Sequence, residues 1–169
     1  AAVLGTSMKS VGEAMAIGRN FKESLQKALA SLETGFSGLD EIFTLKINQI
    51  EKKLKENIPN KILLVAEAFR KKINIKKIHK LSKIDPWFLN QIKDIVDCEI
   101  KIKKYGLPRT YNEFNYIKSI GFSDKKLSEL TNISENIVRQ KRSALKIFPV
   151  FKKVDTCASE FRSFTPYMY

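Results

Sequence analysis

The chain of 169 residues is poor in the side chains that build metal centres and disulfide frameworks: it has two Cys and one His. Cys98 and Cys157 stand 59 positions apart with only His79 as a possible helper, so neither a disulfide ladder nor a zinc spacing can be drawn. Both read as reduced, packed cysteines of a cytoplasmic protein. Long apolar runs are missing too. The longest, Ile62 to Ala66, falls far short of the roughly 20 residues a membrane span needs. The opening AAVLGTSMKS has no basic stretch before an apolar core and no initiator Met, which reads as a piece of a longer chain without a signal peptide. No phosphate cradle is present, because GTSMKSVGE lacks the spacing of a P-loop. His79, in KKIHKLS, has no acid or nucleophile at readable spacing and reads as a solvated side chain. Cys157 has Asp155 and Glu160 nearby, and negative charge discourages a thiolate. Asp94 and Asp97 fall at helical spacing on a solvent face. No catalytic, metal-binding or cofactor-binding residue is therefore expected in this chain.

What remains is an ordinary soluble composition, 43% hydrophobic and 29% charged, with length for one domain or two small ones sharing a core. The net charge is +13. Such an excess raises nucleic acid as a partner, since basic side chains neutralising phosphates supply most non-specific affinity. Yet 25 of the 31 basic residues are Lys and six are Arg, and groove readers depend on the planar Arg fork. The Lys pairs 71–72, 76–77, 103–104 and 152–153 also belong to different elements. A solvated Lys-rich surface is the favoured reading, and nucleic acid is not expected as the partner.

Helical spacing covers most of the chain. Asn20 followed by Glu23 predicts a capping box. Behind it Phe21, Leu25, Ala28, Leu29 and Leu32 share one face of a helix that Gly35 ends. A second helix is predicted from Thr44 to about Asn57, stopped by Pro59, and a third from Lys61 to Lys71, whose ILLVAEAF is apolar around most of its circumference and so central. A short element near Ile75 to Leu81 precedes Asp85-Pro86, where the acid caps and the proline sits in the first turn without wasting an amide. That helix should reach Tyr105 and end at Gly106, with Phe88, Leu89, Ile92, Ile95, Val96, Ile100 and Ile102 inward and Trp87 as a core or interface anchor. Helices near 111–120, 124–131 and 135–147 follow, the last two capped by Ser123 and Ser134. GEAMAIG and VFKKVDTCASEF read as extended arms at the two ends. The fold class is all-α: an irregular multi-helix bundle of two helical stretches, 14–84 and 85–153, whose mutual similarity is too faint to assert.

One segment, FSDKKLSELTNISENIVRQKRSALKI, has the form of a helix-turn-helix, with Leu127, Leu130, Ile133 and Val138 as its inner face. In a DNA-binding regulator Ser134, Glu135, Asn136, Arg139 and Gln140 would face base edges. Two short helices packed at a steep angle need the same apolar offsets, and Glu135 would approach phosphates with the wrong sign. This stays as the alternative reading.

Three separated segments carry a resemblance: MKSVGEAMAIGRNFKESLQKALASLE (8–33), AEAFRKK with IDPWFLNQI (66–92), and VDTCASEFRSFTPYMY (154–169). In that order they resemble the large subunit of carbamoyl phosphate synthetase, in its central helical oligomerisation or connection domain, and the likeness runs over essentially the whole chain. Pro86, where the family more often has a basic residue, and Ser159, in place of Ala, are departures. The resemblance implies a domain joining two ATP-grasp halves. On that resemblance the parent would be a ligase using ATP and Mg that makes carbamoyl phosphate from glutamine-derived ammonia, bicarbonate and two ATP for arginine and pyrimidine synthesis. Residues 1–13 would close the first half and 154–169 lead into the second, with Glu13, Asp155, Cys157 and Glu160 at the junctions. The piece itself is expected to be inactive. Its implied partners are the flanking halves, a second copy through Leu25, Leu29 and Leu32, and, through the parent, a glutaminase small subunit.

Overall fold

The computed structural model describes residues 4–10 and 13–169. Eight helices are described: α1 (Phe21–Ser31), α2 (Ile47–Lys53), α3 (Lys61–Arg70), α4 (Ile75–Ser82), α5 (Pro86–Tyr105), α6 (Tyr111–Ser119), α7 (Asp124–Thr131) and α8 (Glu135–Ala144). Among the described residues there is no sheet, only one antiparallel bridge between Lys153 and Met168, so the chain is all-α with irregular arms at both ends. Short polar side chains set most helix starts by accepting from amides that a first turn leaves free. Asn20, Asn74, Asp85, Thr110, Ser123 and Ser134 all do so.

Several boundaries differ from the sequence reading, each for a local reason. Asn20 does cap Glu23, but the Glu23 carboxylate reaches back to the amide of Arg19 at 2.8 Å rather than to Asn20. Helix α1 ends at Leu32, whose ψ of 130° is already extended, three residues before Gly35. Helix α2 is half the expected length: the Gln49 side chain accepts from Lys46 N at 2.8 Å and fixes a later start, and its last turn tightens through Lys55 and Glu56 amides bonded to Lys52 and Lys53 carbonyls. Helix α8 stops at Ala144, because Lys146 turns left-handed at φ 56° and Ile147 N bonds back to Arg142 O. Phe88 and Ile100, read as inward, are 42% and 45% exposed, and Trp87, read as a core or interface anchor, is 54% exposed and so lies outside the core.

Buried side chains from Leu39 to Ile147 form one cluster. Helix α3, buried at every position from Leu63 to Phe69, and the long α5 form its axis. The boundary read between residues 84 and 85 falls between α4 and α5, and α5 packs on α1, α3, α4 and α7.

At the centre of this apolar cluster lie charges. Glu67, Glu99 and Lys126 are buried, and the Arg70 side chain is nearly so. Arg70 donates to Glu99 at 2.6 Å and to the carbonyl of Leu39, and lies 3.6 Å from Glu67. Lys126 holds Asp40 and lies 3.6 Å from Glu99. Ser37 donates its amide to Asp40 at 2.7 Å and its hydroxyl to Glu129 at 2.5 Å. Side chains from α3, α5 and α7 thereby pin the loop that carries Leu39. Buried charge is tolerated only when paired in this way.

Candidate interface surfaces

Helix α1 and the two arms carry the surfaces of interest. On α1, Leu25 and Leu29 are half-buried against the core, while Leu32, at the cap, is 38% exposed. The buried Gln26 donates to Ile120 O at 2.8 Å and ties α1 to the turn between α6 and α7. That turn is tight against α1. Gly121 has φ 100°, and a Cβ there would sit 3.0 Å from the Glu23 Cα.

The incoming arm touches the domain at several places. Leu4 N bonds Asn57 O at 2.7 Å, beside the α2–α3 connection, and Ile17 O accepts from Lys27 at 3.1 Å. Glu13 is exposed; Gly12, the first residue of the extended stretch read before α1, lies outside the described residues. The outgoing arm folds back on itself: Lys152 and Tyr169 exchange both backbone bonds at 3.0 Å, and Val154 N bonds Tyr167 O at 2.8 Å. Between these strands Asp155 accepts from the amides of Cys157 and Ser159 at 2.9 and 2.7 Å. Those amides hold its carboxyl below the usual range. Cys157 is half-buried and Glu160 exposed. Phe148, Val150, Phe151, Phe161, Phe164, Tyr167 and Met168 are all more than half exposed. Apolar surface concentrated this way marks a contact face.

The arms meet α1 at a groove of about 460 Å³. Its apolar lining includes Phe122, Ile147 and residues 148–151, and its charged lining Arg19, Glu23, Lys27, Lys118 and Arg142, together with Tyr169. Lys27 bonds Glu23 at 2.9 Å and lies 5.7 Å from the centre of the Tyr169 ring. Burial would raise the Glu23 carboxyl, but the Arg19 amide and Lys27 outweigh it and hold it low. Burial pushes the Lys118 ammonium down despite Asp124 at 2.9 Å. Asp124 also takes Arg142 at 3.1 Å. Burial alone would raise Asp124, and the two cations bring it below the ordinary carboxylate value.

A second exposed cluster is aromatic: Phe21 packs edge-on against Trp87 at 5.6 Å and Phe88 at 5.1 Å. His79 is exposed, its Nδ1 2.8 Å from Ile84 O. Asp94 and Asp97 are occupied by Lys22 and Lys93. Burial raises the Cys98 thiol. Among the described residues no three His, Cys, Asp or Glu side chains come close enough to hold a metal, and no helix is long and apolar enough to cross a membrane. In the α7–α8 pair Leu127, Leu130 and Val138 are buried, and Ser134 and Glu135 are engaged locally, Ser134 as a cap and Glu135 with Arg139 at 3.2 Å. Sequence reading missed the buried charges and the groove, because neither has a periodic signature: Arg70, Glu99 and Lys126 look like surface charges until distant helices meet.

The described residues therefore form an all-α bundle fastened by a charged centre, with exposed apolar side chains concentrated on its outgoing arm. Residues 13–146 match the family model for the oligomerisation domain of the carbamoyl-phosphate synthetase large chain. The carbamoyl phosphate synthase large chain of Brucella melitensis is 46% identical over 99% of this chain, and that of Pasteurella multocida 48% identical over 98%. The chloroplastic arginine-specific large chain of Oryza sativa is 45% identical over 99%. The chain belongs to this family, in its oligomerisation domain, and it spans about 15% of the length of the relatives it matches. These comparisons give the DNA-binding alternative no support.

Proposed function

We propose that this domain is a non-catalytic spacer that fixes two ATP-using halves of a carbamoyl phosphate synthase relative to each other and contributes to self-association. The observation that carries the reading is the match of the oligomerisation-domain model to residues 13–146. The concentration of exposed aromatics on the outgoing arm supports it. ATP and Mg would be bound outside these residues, in the flanking halves. A glutaminase small subunit would be met through the parent chain, working in the cytoplasm. Residues 1–13 with Glu13, and 154–169 with Asp155, Cys157 and Glu160, form the junctions in this reading. The self-contact is placed on α1 at Leu32, with Leu25 and Leu29 supporting it from the half-buried side.

The test is direct. The isolated chain should hydrolyse no ATP with bicarbonate present, and sedimentation velocity should show self-association that Leu32→Asp abolishes while the helical circular dichroism stays unchanged. ATP turnover by the isolated chain would overturn the spacer reading, and an unaltered sedimentation profile would overturn the placement at Leu32.

A further inference from the structure

The groove on α1 has an unbalanced charged lining. Four cationic side chains and one carboxylate line it. Lys118 and Arg142 share Asp124, and Lys27 is taken by Glu23. The Arg19 guanidinium makes no hydrogen bond or ion pair among the described residues. It lines the same groove as Phe151, which is 74% exposed. That guanidinium, whose charge also acts on the Glu23 carboxylate, shares the groove with apolar side chains and suits a ligand carrying carboxylates around an apolar side chain, since charge complementarity selects and orients a partner.

We infer that this groove is the docking surface for an acidic, apolar-centred segment of the half that follows Tyr169 in the full-length chain. The inference rests on the junction reading above and adds where that half makes contact and with what chemistry. Two observations favour the following half over the preceding one. The apolar lining of the groove is largely the outgoing arm itself, residues 147–151 together with Tyr169. That arm also carries most of the strongly exposed aromatics, which need a cover continuous with the groove. A two-stranded pairing such as 152–154 with 167–169 is marginal alone and gains from a neighbour packed on it. The apolar residue of the docked segment would sit on Phe122, Ile147 and Phe151, and its carboxylates would face Arg19 and Lys27.

The experiment uses the full-length chain with p-benzoylphenylalanine at Asn115, on the groove wall, or at Phe161, on the outgoing arm but outside the groove. After irradiation the Asn115 probe should cross-link, independently of protein concentration, to a stretch beyond position 169 with carboxylates at adjacent or alternate positions, and Arg19→Glu should abolish that product. Cross-linking from Asn115 to the preceding half, to a second copy, to a stretch without carboxylates, or only within residues 1–169 would overturn the inference. The Phe161 probe separates the two levels. If it reaches the following half while Asn115 does not, the groove assignment falls and the junction stands. If neither does, the junction reading falls with it.

Discussion

Replacing Arg70 by Ala probes the charged centre most directly. The guanidinium is held in a side chain only 10% exposed, 2.6 Å from Glu99 and 3.6 Å from Glu67, and it also caps the carbonyl of Leu39. Its loss leaves Glu99, 1% exposed, with only Lys126 at 3.6 Å, and Glu67, 5% exposed, with only Lys71 at 3.6 Å. Removing one partner of a buried pair costs about 3–5 kcal/mol, mostly for the charge left behind. A domain of this size has roughly 5–15 kcal/mol in total, so the variant should lose about a fifth or more of its stability. At about 2–4 °C per kcal/mol for 150–250 residues, Tm should fall by roughly 6–20 °C. Urea unfolding monitored at 222 nm and by the fluorescence of Trp87, the sole Trp, gives the free energy. Arg70→Lys should recover little, because an ammonium cannot span Glu99 and the Leu39 carbonyl as the fork does. Arg70→Met with Glu99→Leu should cost less than Arg70→Ala alone, since no unpaired charge remains at position 99. A loss under about 1 kcal/mol for Arg70→Ala, the range of a surface ion pair, would refute the claim that these charges fasten the core.

Gly121→Ala should cost about 2 kcal/mol or more, combining the left-handed penalty of a side chain at φ 100° with a Cβ 3.0 Å from the Glu23 backbone; the midpoint of urea unfolding reports it. Asn20→Ala should cost about 1 kcal/mol through the lost cap, with some addition from the bond to Ser119 O at 3.1 Å, again by urea unfolding. Asp124 has a lowered pKa, so its contribution is complete above its unfolded value of about 3.9 and disappears as pH falls through the lower folded value. Between pH 5 and pH 2 the wild type should therefore lose stability more steeply than Asp124→Asn, and equal slopes would show that its pairing with Lys118 and Arg142 contributes nothing.

Helix existence was legible because it rests on local chemistry. Asp85-Pro86, Ser123 and Ser134 begin helices through bonds within three residues, and Gly106 ends α5 as written. The ends of α2 and α8 were less legible, since Gln49 and Lys146 settle them through side-chain capping and a left-handed turn that propensity does not announce. ILLVAEAF told of burial but concealed that its Glu67 faces inward with it. The family was legible in long segments at both ends of the chain, and the comparisons agree. The charged centre was not, because Lys126 reads as a surface lysine until α7 is laid against α5 and the Asp40 loop.

Tying three helices and a loop to one knot of charge has a consequence for motion. Peeling any one strand of the knot away would strand an ion in oil, so α3, α5 and α7 should exchange their amide protons at a common free energy, as a single foldon. Such a body has no soft hinge through its middle. Whatever strain reaches one of its arms is passed on as by a stiff lever, and compliance is left to the irregular segments outside it.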